Sequence, residues 1–452
     1  MTLRSGDPTR SVDARGVPAT RARVRQLVAR AHAGDSSVET TVADIITRIR
    51  EDGFAAASAY AHDFDGVELD RLRVSAQTIR DAADSLPAET LDALSTAIDR
   101  TRTFAEAQRP ETVTTTFPGG ATVSLLWEPV SRAGVYVPGG KAVYPSSVIM
   151  NVVPAQAAGV TSIALASPPQ REYGGMPHPH ILAAAHLLGI DEVYAIGGAQ
   201  AIAALAFGID DPDPERALPA VDVITGPGNI YVATAKRLVR GHVAVDAEAG
   251  ATEVMILADS LADPATIAVD MICQAEHDEN AAAVLVTPSA SLLGAVSAEL
   301  RRRAPTAAHR ERVAAALGGP QSALVLVDDI GHGIRFCSAY APEHLEVHCE
   351  NADAVAAQVT GAGAVFVGAT TPVSLGDYTA GSNHVLPTGG TASFSSGLSV
   401  YSFLRNVQNV AYPLDALRPL RDTVRALSTA ENLPAHGAAF DMRFAASDRA
   451  SS

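Results

Sequence analysis

The 452-residue sequence predicts an α/β fold with a helical entry and a small helical C-terminal extension. Three observations carry that expectation. Short apolar runs at 133–137, 161–166, 192–196, 221–225, 253–258, 281–287, 322–327 and 363–367 alternate with stretches of helical periodicity. Several of these runs are continuous rather than alternating, as in strands buried on both faces of a parallel sheet. Gly-rich turns follow them, V-P-G-G from 137, I-G-G-A-Q from 196 and T-G-P-G-N from 225. In such sheets ligands bind at the carboxyl ends of the strands.

Taken in order, the chain opens with M-T-L-R-S-G-D-P-T-R, which lacks the apolar core of a secretory signal. Its Arg and Ser content faintly suits a transit peptide, but Asp7 and Asp13 count against one. Residues 1–18 therefore read as a flexible tail. Leu27 and Ala31, then Val42, Ile45, Ile46 and Ile49, recur at helical spacing, broken by Gly34 and Gly53. A longer helix is expected from Ala88 to about Ala107, with Leu91, Leu94, Ala97 and Ile98 on one face. Strand–helix alternation then implies parallel sheets with right-handed crossovers. After about 395 strands fade and helices return at 414–431 and 435–446. An extension of that size has little core of its own, so a second subunit is the obvious surface for it.

A chain of this length predicts two or three domains. The net charge of -16, with no basic stripe, argues against a nucleic-acid partner. No apolar run approaches the ~18 residues that a membrane-spanning helix needs. Cys273, Cys337 and Cys349 are odd in number and form no C-x-x-C, which fits no disulfide framework. Cys273 reads as a small buried hydrophobe. A cytoplasmic protein is the default expectation.

The segment from Pro264 through His277 reads as a helix with Ile267, Met271 and Ala275 as its buried stripe. Asp270, Gln274 and His277 fall on a neighbouring face, and Gln274 and His277 sit ~5–6 Å apart at Cβ. By itself such a polar stripe is usually a solvated edge, and Gln is an uncommon metal ligand. Asp377 follows Gly376 and precedes Gly381, in what reads as a mobile turn. It could ligate a cation or simply cap the turn. His384 lies in the same loop, and His436 lies in P-A-H-G near the helical tail. Gln, His, Asp and His together would suit Zn²⁺, which accepts N and O donors.

Glu343 and His344 follow Pro342, between a helical stretch and the strand-like L-E-V-H. An exposed Glu–His pair usually means nothing. In a loop preset by Pro, however, a carboxylate to activate water beside an imidazole that titrates near neutrality is an acid/base arrangement. His62, His178, His180, His186, His242, His309, His332 and His348 read as structural or surface residues. G-P-G-N-I-Y at 226–231 supplies two glycines of a G-x-G-x-x-G fingerprint, with Tyr231 replacing the third. Asp246 lies near the distance of a ribose-binding acid, although a Gly-rich helix N-terminus could bind any anion.

Together the motifs resemble the histidinol dehydrogenase family, from about residue 38 to 440. The most specific stretches are Y-V-P-G-G at 136, G-G-A-Q-A-I-A-A-L-A-F-G at 197, G-P-G-N-I-Y-V at 226, Q-A-E-H-D at 274, A-P-E-H-L-E at 341 and G-D-Y-T-A-G-S-N-H-V-L-P-T at 376. The resemblance implies oxidation of L-histidinol to L-histidine through histidinaldehyde with two NAD⁺, the last step of histidine biosynthesis. It implies Zn²⁺ on Gln274, His277, Asp377 and His436, gripping the substrate amine and imidazole. His344 would take the hydroxyl proton, and Glu343 would activate water at the aldehyde stage. Tyr136, Gln200 and Asn229 match cofactor contacts. Thr252, His384 and Glu431 match substrate contacts, beside the metal ligands and His344.

The family is homodimeric, which would bring Glu431 and His436 in from the other chain. Its P-S-E is replaced here by Ala251-Thr252-Glu253, which keeps a hydroxyl. A Glu that it often has four residues before the metal Asp is Val373 here. The expected organisation is two Rossmann-like α/β domains. One is discontinuous, at 19–132 and 250–395, and the other, on the cofactor side, is 133–249. A helical dimerisation region follows at 396–452. Two rival readings are a zinc hydrolase, which has no evident need for the glycine turns, and a binding protein, which would not need Glu343 beside His344.

Overall fold

The computed structural model describes residues 8–30, 36–139, 143–247 and 250–450, so Ala31, Gly34 and Gly140 of the reading above fall outside it. Its strands in chain order are β1 (Ser11–Asp13), β2 (Val113–Phe117), β3 (Ala121–Pro129), β4 (Arg132–Tyr136), β5 (Ser162–Ser167), β6 (Val193–Ala195), β7 (Val223–Thr225), β8 (Ala244–Val245), β9 (Glu253–Ala258), β10 (Ala282–Thr287), β11 (Ala323–Leu326), β12 (His344–His348), β13 (Ala364–Val367) and β14 (Leu404–Ala411). Every apolar run singled out in the sequence is a strand. The expected helix at 88–107 is also present, as Ala88–Ala107.

The chain divides into two compact units, Met1–Gln108 with Val130–Phe403, and Arg109–Pro129 with Leu404–Ser452. The first unit holds two parallel sheets, of order β1-β11-β10-β9-β12-β13 and β6-β5-β4-β7-β8. In the larger sheet both faces are covered. Val254, Ile256 and Ala258 of β9 pack with Ile267, Met271 and Ala275 on one side. Met255 and Leu257 pack with Phe336 and Tyr340 on the other. Because successive side chains alternate between faces, two buried faces require an unbroken apolar strand. Each such residue contributes roughly 1.5–3 kcal/mol by leaving water.

β12 breaks that rule on one face only. Leu345 and Val347 join the apolar cluster around Met255. His344, Glu346 and His348 alternate with them and are equally buried. In the smaller sheet the chain runs outward from β4 to β5 and β6, then returns to place β7 on the other side of β4. The strand order therefore reverses between β4 and β7, the Rossmann-like switch point.

Two expectations differ from the structure. Ser11–Asp13, assigned to the terminal tail, pairs in parallel with Leu324–Leu326 as an edge strand, and Ala14 beside it is fully buried. A three-residue strand with a single apolar member leaves no periodic signal. The C-terminal region is also not purely helical. β14 runs antiparallel to β3, which pairs with β2, and this three-stranded sheet precedes helices Arg421–Ala430 and Pro434–Ala450. L-R-N-V-Q-N-V-A is half polar and mostly exposed, so its strand character rests on pairing and not on a continuous apolar run. Among the described residues, no helix is long and apolar enough to cross a membrane.

Candidate active site

Helix Pro264–Ala275 begins where Asp263 caps it, accepting the N–H groups of Ala265 and Thr266 at 3.3 and 3.0 Å, with Pro264 in the first position. Its apolar stripe lies on the larger sheet, which leaves Gln274 buried at its C-terminal end. His277 follows just beyond. Asp377 lies within the short helix Val373–Tyr378 and not in the mobile turn expected for it. Its Oδ2 is 4.0 Å from His277 Nε2. Gln274 Nε2 donates to Thr252 Oγ1 at 3.1 Å, while its Oε1 is buried without a partner. An orphaned buried amide oxygen beside a His–carboxylate pair fits a cation. Zinc bonds of ~2.0–2.2 Å are compatible with donors about 4 Å apart.

Glu343 and His344 sit at the start of β12. The helix before them, Ile330–Tyr340, ends at Ala341, which is left-handed at φ 52°. A non-Gly residue in that region is uncommon, and here it turns the chain sharply into Pro342 and the pair. Both side chains are buried. Glu343 Oε2 accepts the Thr252 hydroxyl at 2.6 Å and the Glu253 N–H at 2.8 Å. His344 Nδ1 lies 3.1 Å from the Glu253 carbonyl. Donation of the Nδ1 proton there leaves Nε2 as the basic nitrogen. Burial pushes the Glu343 carboxyl above its ordinary range, against the opposing pull of His344 and its hydrogen bonds to Thr252 and Glu253.

Thr252 thus links the two halves of the site, accepting from Gln274 and donating to Glu343. His384 Nδ1 lies 3.0 Å from the Asp377 carbonyl and its Nε2 3.2 Å from Ser147 Oγ. Burial lowers its affinity for a proton, with Asp377 opposing. A cavity of about 450 Å³ opens beside His277, lined among others by Leu94, Tyr144, Ile149, Arg312 and Tyr378. That volume suits a small organic ligand.

The expected cofactor residues gather at the switch point. Tyr136 ends β4 and its hydroxyl accepts the N–H of Gly198, at the start of helix Gly198–Phe207. Burial pushes that phenol up to about 12. Gln200 is buried two residues into the same helix. Asn229 Oδ1 caps helix Ile230–Val239, accepting from Tyr231 and Val232 at 3.0 and 3.1 Å. Gly226, at φ +120°, packs so closely on β4 that a Cβ would fall 1.9 Å from the Tyr136 carbonyl oxygen. Two helix N-termini beside a glycine turn at a switch point fit a dinucleotide's phosphates. Asp246 is not available to a ribose, however. Its Oδ2 accepts the Gly226 N–H at 2.8 Å, and its carboxylate pairs with the buried Lys236.

Residues 28–444 match the family model of histidinol dehydrogenase. The chain is 54% identical over 434 residues to a histidinol dehydrogenase of Leifsonia xyli, covering 96% of this chain and 99% of that one. It is also 54% identical over 433 residues to one of Mycobacterium tuberculosis, covering 96% and 97%. A solved histidinol dehydrogenase from Elizabethkingia anophelis superposes with a TM-score of 0.91 at 30% identity, over 98% of this chain and 100% of that one. The chain belongs to the histidinol dehydrogenase family.

Of the site residues expected from the family resemblance, Thr252, Gln274, His277, Glu343, His344, Asp377 and His384 meet in the first unit, tied by the contacts above. Glu431 and His436 belong to the second unit. Glu431 follows helix Arg421–Ala430 and His436 lies in the first turn of helix Pro434–Ala450, on either side of Asn432, which is left-handed at φ 55°, and both are exposed. Sequence reasoning missed the residues behind the site. Arg30 and Glu253 form a buried ion pair at 2.5 Å, with the guanidinium 4.0 Å from the centre of the Tyr340 ring. Burial raises Glu253 to about 7, with Arg30 opposing. His348, expected to be structural or at the surface, lies with Asp270 and Glu346 in a buried group whose donor atoms are within 4.8 Å of one another. Burial, and then the charge of Glu346, raise Asp270 to about 7. The helical spacing of Asp270 and Gln274 was the one visible signal for that group.

Proposed function

We propose that the protein is an L-histidinol dehydrogenase, carrying L-histidinol to L-histidine through histidinaldehyde with two NAD⁺. The observation that carries this is Thr252, whose hydroxyl ties the buried Glu343 to the metal-competent Gln274. A hydrolase would have no use for the cradle formed by Tyr136, Gln200, Gly226 and Asn229. In this reading Gln274, His277 and Asp377 hold zinc together with His436, which would be supplied across a homodimer interface along with Glu431. Zinc, when bound, supplies a Lewis-acidic anchor for the substrate amine and imidazole. NAD⁺ supplies hydride acceptance.

His344 Nε2 takes the hydroxyl proton as the first hydride leaves the carbinol carbon, and its Nδ1–H on the Glu253 carbonyl keeps the ring oriented. Glu343 Oε2 is held by Thr252 and Glu253, which leaves Oε1 to accept a proton from the water that adds to the aldehyde. His344 then serves the second oxidation. Thr252 and His384 position the substrate, and burial of the pair excludes bulk water. Several large apolar side chains of the second unit, Val113, Val410, Leu427 and Met442, are exposed in a single chain, which supports a subunit partner. The cytoplasm is the proposed setting. The discontinuous 19–132 and 250–395 domain with a 133–249 cofactor domain belongs to the same reading.

Purified zinc-loaded protein with L-histidinol and excess NAD⁺ should form about two NADH per substrate consumed. No absorbance change at the nicotinamide band, across several amino alcohols, would end the proposal.

A further inference from the structure

Glu346 stands two residues after His344 on β12 and His348 two further, so all three share one buried face of the strand. Asp270 stands one helical turn before Gln274 on helix Pro264–Ala275. The carboxylates and imidazole converge, with Glu346 Oε2 3.5 Å from His348 Nε2. Glu346 reaches a third element through Oε1, which accepts the Val373 N–H at 2.8 Å. Val373 opens the helix that carries Asp377. One cluster thus touches the three elements that bear Gln274, His344 and Asp377, with His277 just beyond the first.

The surroundings are apolar, with Val254, Met271 and Phe366 in the same core cluster. Packing alone would be served better there by another aliphatic side chain, because a buried charge is costly unless an opposite one faces it. Asp270 Oδ2, Glu346 Oε2 and both His348 ring nitrogens are buried with no hydrogen-bond partner, so they answer only to one another or to a guest between them. Asp270, Glu346, Gln274 and His277 also line one small cavity, which joins the cluster to the metal ligands. Groups that orient metal ligands from behind are worth 10–100-fold in metal affinity.

We propose that Asp270, Glu346 and His348 form a positioning cluster that locks helix Pro264–Ala275, β12 and helix Val373–Tyr378 in the mutual placement zinc requires. It rests on the zinc-site reading above. The cluster holds the ligand-bearing backbones and touches neither substrate nor cofactor.

The test uses the full-length protein and the variants Glu346→Gln, His348→Leu and His348→Gln. Zinc affinity is measured by competition with a chromophoric chelator, alongside zinc stoichiometry, the visible spectrum of the cobalt-substituted protein and NAD⁺ affinity. The variants should hold zinc at least tenfold more weakly and shift the cobalt bands, with NAD⁺ affinity unchanged. If Glu346→Gln fails to fold, the His348 variants decide. Folded variants that bind zinc within twofold of the parent would overturn the proposal while sparing the zinc site. A parent holding two zinc ions per subunit, one of them lost in the variants, would overturn it in favour of an ion site within the cluster. A parent that binds no zinc would sink both readings together.

Discussion

At the scale of single residues, the site depends on how two adjacent side chains are divided by their backbone bonds. His344 is oriented by a carbonyl and Glu343 by a hydroxyl and an amide, so their roles separate although they are neighbours in sequence. His344→Ala should lower the alcohol step by ~10²–10⁴-fold, the usual contribution of a positioned acid or base. Glu343→Gln should impair aldehyde oxidation and leave alcohol oxidation far less affected. Because burial raises the Glu343 proton affinity, its base form is lost as pH falls through that raised value. Single-turnover aldehyde oxidation should therefore fail on the acid side at a pH above the ordinary carboxylate range. An acid limb at about 4.3, the free Glu value, would remove Glu343 from that role.

At the scale of elements, the cofactor side rests on close contact between the turn after β7 and the end of β4. Lys236 and Asp246 fasten that turn from below, Lys236 donating to the Gly226 carbonyl at 2.9 Å and Asp246 accepting its N–H. Gly226→Ala would force a methyl group into the Tyr136 carbonyl from a backbone region that disfavours side chains. NAD⁺ affinity measured by fluorescence titration should fall at least tenfold, with zinc content retained. Unchanged binding would show that the turn is not the cofactor cradle. The same contacts explain why Asp246 misled the sequence reading. Its spacing suited a ribose, but spacing does not reveal that the carboxylate turns inward to Gly226 and Lys236.

At the scale of the whole molecule, the proposed homodimer would set Glu431 and His436 of one subunit against Gln274, His277 and Asp377 of the other. Mixing a His436→Ala chain with a His344→Ala chain should restore activity in hybrids, up to one intact site per dimer. No recovery in hybrids verified by mass spectrometry would place His436 outside the partner's site. Much of this molecule was legible in advance, because parallel strands buried on two faces must be continuously apolar and helices on a sheet must carry one apolar stripe. β1, β2, β3, β8 and β14 were not legible. β1 and β14 pair with residues far along the chain and β2 forms a hairpin with β3, and none of these strands carries the continuous apolar run that marks a strand buried on both faces.

The sequence alone determined which donors and proton-transfer groups exist and that Gln274 sits on a helix, since residue identity and periodicity are local properties, but it put Asp377 in a turn where the chain forms a short helix. Tertiary structure decided which of them meet. It buried Gln274 with one oxygen unanswered, gave Thr252 to both Glu343 and Gln274, and set His348, expected to be structural or at the surface, beside Asp270 and Glu346. Those outcomes depend on distances between segments tens of residues apart in the chain, and only the folded chain sets them.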